Sequence, residues 1–192
     1  MRKSLLALLP VGVALVVTGC FPEMWGEPQP MHPSAAQLAS TFIVTIDDRR
    51  IEPQAETYVY RTTAYDLSLR LLPNSVEFTL VNLSKEVLRL VWGETAIVLA
   101  DGHASRVVPP GTAYTAVNQP VATTIVPPMA KMTSAFIPVA NIYWNPSTES
   151  YAQRPLFKLP ITEETNLRVS VGFELGDQRQ RLEILITGLP RT

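Results

Sequence analysis

Beyond residue 40, apolar and polar residues alternate with a period near two rather than the 3.6 of a helix. Phe42, Val44 and Ile46 fall on one side of a strand predicted over 41–46. A weaker strand is predicted over 58–61. Leu67, Leu69 and Leu71 alternate with Ser68 and Arg70, and Val76, Phe78 and Leu80 alternate with Glu77 and Thr79. Leu88, Leu90 and Trp92 repeat the pattern. These three runs lie close together and are expected to pair as an antiparallel meander. Pro73-Asn74 turns the chain between the first two.

Short strands are expected over 96–99 and 105–108, joined by the Asp101-Gly102 turn, where glycine supplies positive φ. Two more are expected over 122–126 and 132–137, closed by proline. The stretch 141–159 reads as a long surface loop. The clearest hairpin is C-terminal. Leu167, Val169, Val171 and Phe173 form one arm, Leu182, Ile184 and Ile186 the other, and Gly176-Asp177 the turn. Roughly eight to ten short strands with frequent turn signals predict an all-β fold, an antiparallel two-sheet sandwich of Ig-like type. A lipocalin-like barrel would want a helix near the end and a more regular chain of hairpins, and neither is visible.

Composition supports a strand-rich chain. Seventeen prolines stand against nine glycines, and proline ends strands and is excluded from helix interiors. The net charge of -1 gives no basic face for nucleic acid.

The N-terminus has a different pattern. Arg2 and Lys3 precede an apolar run from Leu5 to Val17. That run is shorter than the ~20 residues of a spanning helix and is built like a secretory signal. It ends in Val17-Thr18-Gly19-Cys20, and Cys20 is the single cysteine of the chain. This stretch resembles the lipobox of bacterial lipoproteins. The resemblance implies cleavage before Cys20, diacylglyceryl transfer to its thiol and acylation of the new amine. A thiolate is a good nucleophile for that transfer. One acyl chain binds a membrane only marginally, whereas two or three anchor it stably. Phe21 stands where an aspartate would signal inner-membrane retention in enterobacteria, which favours the outer membrane. From Phe21 to Pro33 the chain is rich in proline, glycine and glutamate and reads as an extended tether, with Phe21 and Trp25 suited either to a membrane interface or to docking on the domain. The expected organisation is a signal peptide over 1–19, a lipidated cysteine and tether over 20–38, and one β domain over 39–190.

A second resemblance covers the centre of the chain. Asn82-Leu83-Ser84, Leu90-Val91-Trp92-Gly93, the run from Asp101 to Val108, Gly111 and Ile125-Val126-Pro127-Pro128 resemble a pattern in uncharacterised bacterial envelope lipoproteins. It implies a sandwich-like domain and brings no activity.

No residue set predicts catalysis or a cofactor. The two histidines, His32 and His103, are not at metal-ligand spacing. Met24, Met31, Met129 and Met132 form no dense methionine-histidine run for copper. His103 and Ser105 are two residues apart, which on a strand puts both on one face, but no nucleophile elbow accompanies them. Asp47-Asp48 and Glu163-Glu164 read as solvated turn charges. Aromatic residues are the remaining candidate. Tyr143, Trp144, Tyr151 and Phe157 are set among polar residues, where they could bind a sugar or a protein, or fold back over the sheet edge. The expectation is a non-enzymatic, lipid-anchored envelope protein with an envelope protein partner, probed against a small-ligand or carbohydrate binder as alternative.

Overall fold

The computed structural model describes residues 33–190. The signal, Cys20, Trp25, His32 and most of the expected tether lie outside the described residues. A five-residue helix, α1 (Ala35–Ala39), comes first, with the Ser34 hydroxyl accepting from the Gln37 amide at 3.2 Å as its N-cap. Leu38 within it is fully buried.

Strands follow in the order β1 (Phe42–Ile46), β2 (Arg49–Ile51), β3 (Pro53–Gln54), β4 (Thr57–Arg61), β5 (Tyr65–Leu72), β6 (Ser75–Asn82), β7 (Leu88–Leu90) and β8 (Ala96–Val98). Then come β9 (Ala104–Val108), β10 (Thr124–Val126), β11 (Lys131–Pro138), β12 (Ile142–Asn145), β13 (Ser150–Gln153), β14 (Thr165–Leu175) and β15 (Gln178–Gly188). Every pairing is antiparallel. The alternating residues of the sequence supply the interior. Phe42, Val44, Ile46, Leu67, Leu69, Leu71, Val169, Ile184 and Ile186 are all buried, while their neighbours face outward.

The chain is all-β and antiparallel, as expected, but its faces are not two separate sheets. One path of pairings runs β2-β1-β15-β14-β8-β9-β11-β6-β5-β4-β3. Strands β9 and β11 join the two faces through only two residue pairs, Val108 with Ile137 and Val107 with Pro138. The result is a nearly closed, barrel-like sheet. The ends of the path meet through side chains. The Tyr58 hydroxyl on β4 donates to the carbonyls of Ala39 at 3.0 Å and Phe42 at 2.9 Å, and Tyr60 donates to Asp47.

Two local expectations are corrected. Strand β7 does not extend the β5–β6 hairpin. It pairs with β10 and β14 on the opposite face. The loop after β6 crosses over because Asn82, fully buried, holds it there. Its amide donates to the carbonyls of Glu86, Val126 and Pro127, while its Oδ1 accepts from the amide and hydroxyl of Ser84. The stretch 141–159 is not a loop throughout. It contains the β12–β13 hairpin, which forms its own two-stranded sheet, followed by a buried Leu156-Phe157 pair.

Candidate functional site

Among the described residues, the core cavity is too small for a ligand. It measures about 20 Å³ and is lined by Tyr65, Leu67, Phe78, Phe136, Phe173 and other apolar side chains, far below the ~300 Å³ of a small-molecule pocket.

Strand register brings two of the four predicted aromatics, Trp144 and Tyr151, together. Trp144 and Tyr151 are directly opposed on β12 and β13, so both point to one face of the hairpin. Their rings meet edge-on at 5.2 Å. Tyr114, in a short 3₁₀ turn (Tyr114–Ala116), stacks on Tyr151 at 5.0 Å. Tyr143 belongs to the other face, where Arg154 lies over its ring at 5.3 Å. All four rings are exposed, Trp144 to 52%. Tyr114 went unrecognised in the sequence because it lies far from the hairpin along the chain. Its only local signal is an aromatic ring in a proline- and glycine-flanked segment.

Phe157 does not join this cluster. It is 1% exposed and packs on Phe42 at 4.9 Å, plugging the barrel end. Two hydrogen bonds to the Pro73 carbonyl, from the amides of Leu156 and Phe157 at 2.7 and 3.1 Å, fix the plug. Its apolar neighbours draw it inward, whereas the hairpin residues sit on a sheet too small to cover them.

A second exposed group is aliphatic. Leu83, Ile125 (60% exposed) and Met129 (74% exposed) lie where the β6–β7 loop meets the Val126-Pro127 backbone around Asn82. Pro128 and Met129 form the centre of a tight turn closed from the Ala130 amide to the Pro127 carbonyl at 3.2 Å. Met129 there has φ of 60°, a left-handed conformation that glycine usually takes in such turns. Lys85 and Lys131 flank the group in sequence.

These two groups stand at opposite ends of the domain. Strands β6 and β11 both run between them: the Ser75 end of β6 meets the hairpin through an Asn74–Gln153 hydrogen bond of 3.2 Å, and the Asn82 end carries Leu83. Eight extended residues make that separation about 25 Å. Helix α1 lies at the hairpin end, since Phe42, just after it, touches Phe157.

The other candidates are dispersed. His103 is exposed, with Nδ1 3.3 Å from the Asp101 carboxylate. The His103 backbone amide, donating to Asp101 at 2.9 Å, is the main reason the Asp101 pKa is lowered. Ser105 is buried, and its hydroxyl accepts from the Ala140 amide at 3.0 Å. The expectation that both share a face is corrected, because His103 precedes β9 and belongs to the turn. Asp47 and Asp48 form the centre of the β1–β2 turn, with φ of 46° and 62°. Among the described residues no group of three or more His, Cys, Asp or Glu stands close enough to hold a metal ion. No helix among them is long and apolar enough to cross a membrane. A cleft of about 390 Å³ near the hairpin is lined by Asp101, Asn141, Arg154, Lys158 and Glu163, and none of the exposed rings borders it.

No family model matches the chain, and no curated protein does. A solved structure, the X-ray structure of Northeast Structural Genomics Consortium target SoR45, aligns with 80% of this chain and 89% of that chain, at 16% identity and a TM-score of 0.28.

Proposed function

We propose that this is a non-catalytic, lipid-anchored protein of the bacterial cell envelope, an accessory or assembly component of an envelope complex. Its mechanism is retention plus recognition. Acyl chains on Cys20 confine the domain to a bilayer, the outer membrane facing the periplasm, and raise its effective concentration near membrane-bound partners. The rigid domain, a flattened and sandwich-like barrel in this reading, then presents its surface.

The observation that carries recognition is the exposed apolar group at the end of β6 remote from α1. Leu83, Ile125 and Met129 are uncovered there, and Met129 holds a conformation unusual for its type. Exposed apolar side chains flanked in sequence by Lys85 and Lys131 suit a protein partner with an apolar centre and acidic rim. A carbohydrate reading would need rings converging on a cavity with polar groups, and the polar cleft near the hairpin is lined by none of the exposed rings.

The test has two arms. Cys20→Ser is expected to move the protein from the membrane to the soluble fraction of fractionated cells; retention would sink the anchor. In-cell cross-linking through a photoreactive residue at 129 is expected to give a discrete envelope-protein adduct. The adduct should disappear when Leu83 and Ile125 are replaced by Ser. Recovery of monomer alone would sink the partner.

A further inference from the structure

We infer that the aromatic hairpin face, Tyr114, Trp144 and Tyr151, rests in the headgroup region of the same bilayer that carries the anchor. This rests on the lipid-anchor reading above and gives that hairpin its occupant.

The argument starts from chain length. Residues 21–32 separate Cys20 from Pro33, so they reach about 40 Å at the ~3.1 Å per residue of a proline-rich chain. The described chain enters the domain through α1, and α1 lies at the hairpin end: the Tyr58 hydroxyl ties the Ala39 and Phe42 carbonyls together, and Phe42 packs on Phe157. The end held by the tether and the end bearing the rings are therefore the same end.

The chemistry of the face fits an interface better than a dry protein contact. Tryptophan and tyrosine have an apolar body and a polar edge, and they concentrate at the depth where lipid headgroups meet acyl chains. Trp144 is the most exposed of the rings, while Tyr151 and Tyr114 brace it through edge-on and stacked contacts. The hairpin is a separate two-stranded sheet, so these rings remain uncovered by the barrel. Charge adds little. Arg154 and Lys158 in the neighbouring cleft are matched by Asp101 and Glu163, so the contact should not need anionic lipid. Three rings alone would bind weakly, but a tether this short keeps them at high effective concentration over the surface. Resting on this end, the domain would turn Leu83, Ile125 and Met129 away from the bilayer.

The full chain, purified from cell membranes and carrying Trp25→Phe, is placed in vesicles of phosphatidylethanolamine and phosphatidylcholine, with and without phosphatidylglycerol. The chain then has two tryptophans, and the buried Trp92 reports that it is folded. Subtracting the emission of the same chain with Trp144→Phe isolates Trp144. Lipids spin-labelled near the headgroup are expected to quench the Trp144 emission at least twofold, equally in both vesicle types, with labels at the acyl terminus much less effective. No quenching while the chain co-sediments with vesicles would overturn the inference and leave the anchor standing. So would quenching that appears only with phosphatidylglycerol, or only after solubilised envelope proteins are added. The mass of the purified chain reads the anchor separately: an unmodified Cys20 thiol sinks the anchor reading, and quenching still decides the face.

Discussion

The Tyr60 hydroxyl donates to the Asp47 carboxylate at 3.2 Å, crossing the gap between the two ends of the strand path. Asp47 also accepts from the Glu183 amide at 3.2 Å. One turn residue thus ties β4 to β15 where no backbone ladder does. Tyr58 performs the same service one pleat away, with its hydroxyl buried between two carbonyls. The seam is held by phenols. Tyr58→Phe should cost about 1–2 kcal/mol, because it strands two buried acceptors, and Tyr60→Phe less than about 1 kcal/mol because its bond is partly solvated. Urea midpoints of the two variants check this; equal shifts would show that the seam does not depend on burial.

Alkaline pH should open the same seam. Burial, then the charge of Glu52, pushes the Tyr58 pKa from 10.0 up to about 12. Burial, followed by Tyr60 and Asp47, raises that of Tyr65. Tyr60 is raised too, first by burial and then by Asp47. A phenol whose pKa is higher folded than unfolded contributes stability that is complete below pH 10 and declines as pH climbs toward 12. The urea midpoint should therefore be flat through pH 9 with respect to these groups and fall above pH 10. Tyr58→Phe should show a shallower fall. A wild-type midpoint as high at pH 11 as at pH 9 would contradict the assignment.

Much of this fold was legible as alternation. The strands through Leu67, Val76, Val169 and Ile184 stand where period two put them, because each has one dry and one wet face. The partner of β7 was not legible. Nothing in Leu88-Arg89-Leu90 tells that Asn82 redirects the chain, since a buried amide satisfied by five contacts looks in sequence like any loop asparagine. The hairpin of β12 and β13 was missed because its exposed aromatic residues break the alternation. For the same reason Phe157 was grouped with Trp144, although one is core and the other surface.

That division can be measured. Phe157→Ala removes a ring that is 1% exposed and packed on Phe42, and should cost about 3–5 kcal/mol. Trp144→Ala removes an exposed ring with one edge-on partner, and should cost under about 1.5 kcal/mol. Thermal melts of both variants decide it. A larger loss for Trp144→Ala would place the hairpin ring in the stability core instead of on a binding face.

Asn82 should behave as a structural knot. Asn82→Ala removes the amide donor from the Glu86, Val126 and Pro127 carbonyls and the acceptor of the Ser84 amide, although Glu86 keeps the Ser84 hydroxyl and Pro127 keeps the Ala130 amide. Some of them reach water when the loop loosens, so the expected loss is about 2–4 kcal/mol rather than the sum. Asn82→Asp keeps the acceptor for Ser84 but turns a buried donor into a charge, and should be at least as damaging. Hydrogen exchange adds a local readout: the amides of Ser84 and Ala130 should lose protection together. If they exchange independently in Asn82→Ala, the two loops are not held by this side chain.

Gly172 and Gly93 make a matched pair for the packing of β14. A Cβ on Gly172 would lie 2.6 Å from the Glu94 Cβ and 3.4 Å from its carbonyl oxygen. Both belong to the main-chain end of Glu94, which cannot swing aside, and Glu94 is held further by its ion pair with Arg179. The Gly172 amide also donates to the Thr95 hydroxyl at 3.3 Å, so moving the strand breaks that bond as well. Gly172→Ala should therefore cost about 1–3 kcal/mol by overpacking. A Cβ on Gly93 meets nothing within 4 Å, and Gly93→Ala should be near neutral. Urea unfolding of the two variants gives the comparison directly, and a Gly172→Ala protein as stable as wild type would mean that the 3₁₀ turn Trp92–Glu94 yields to the added methyl group.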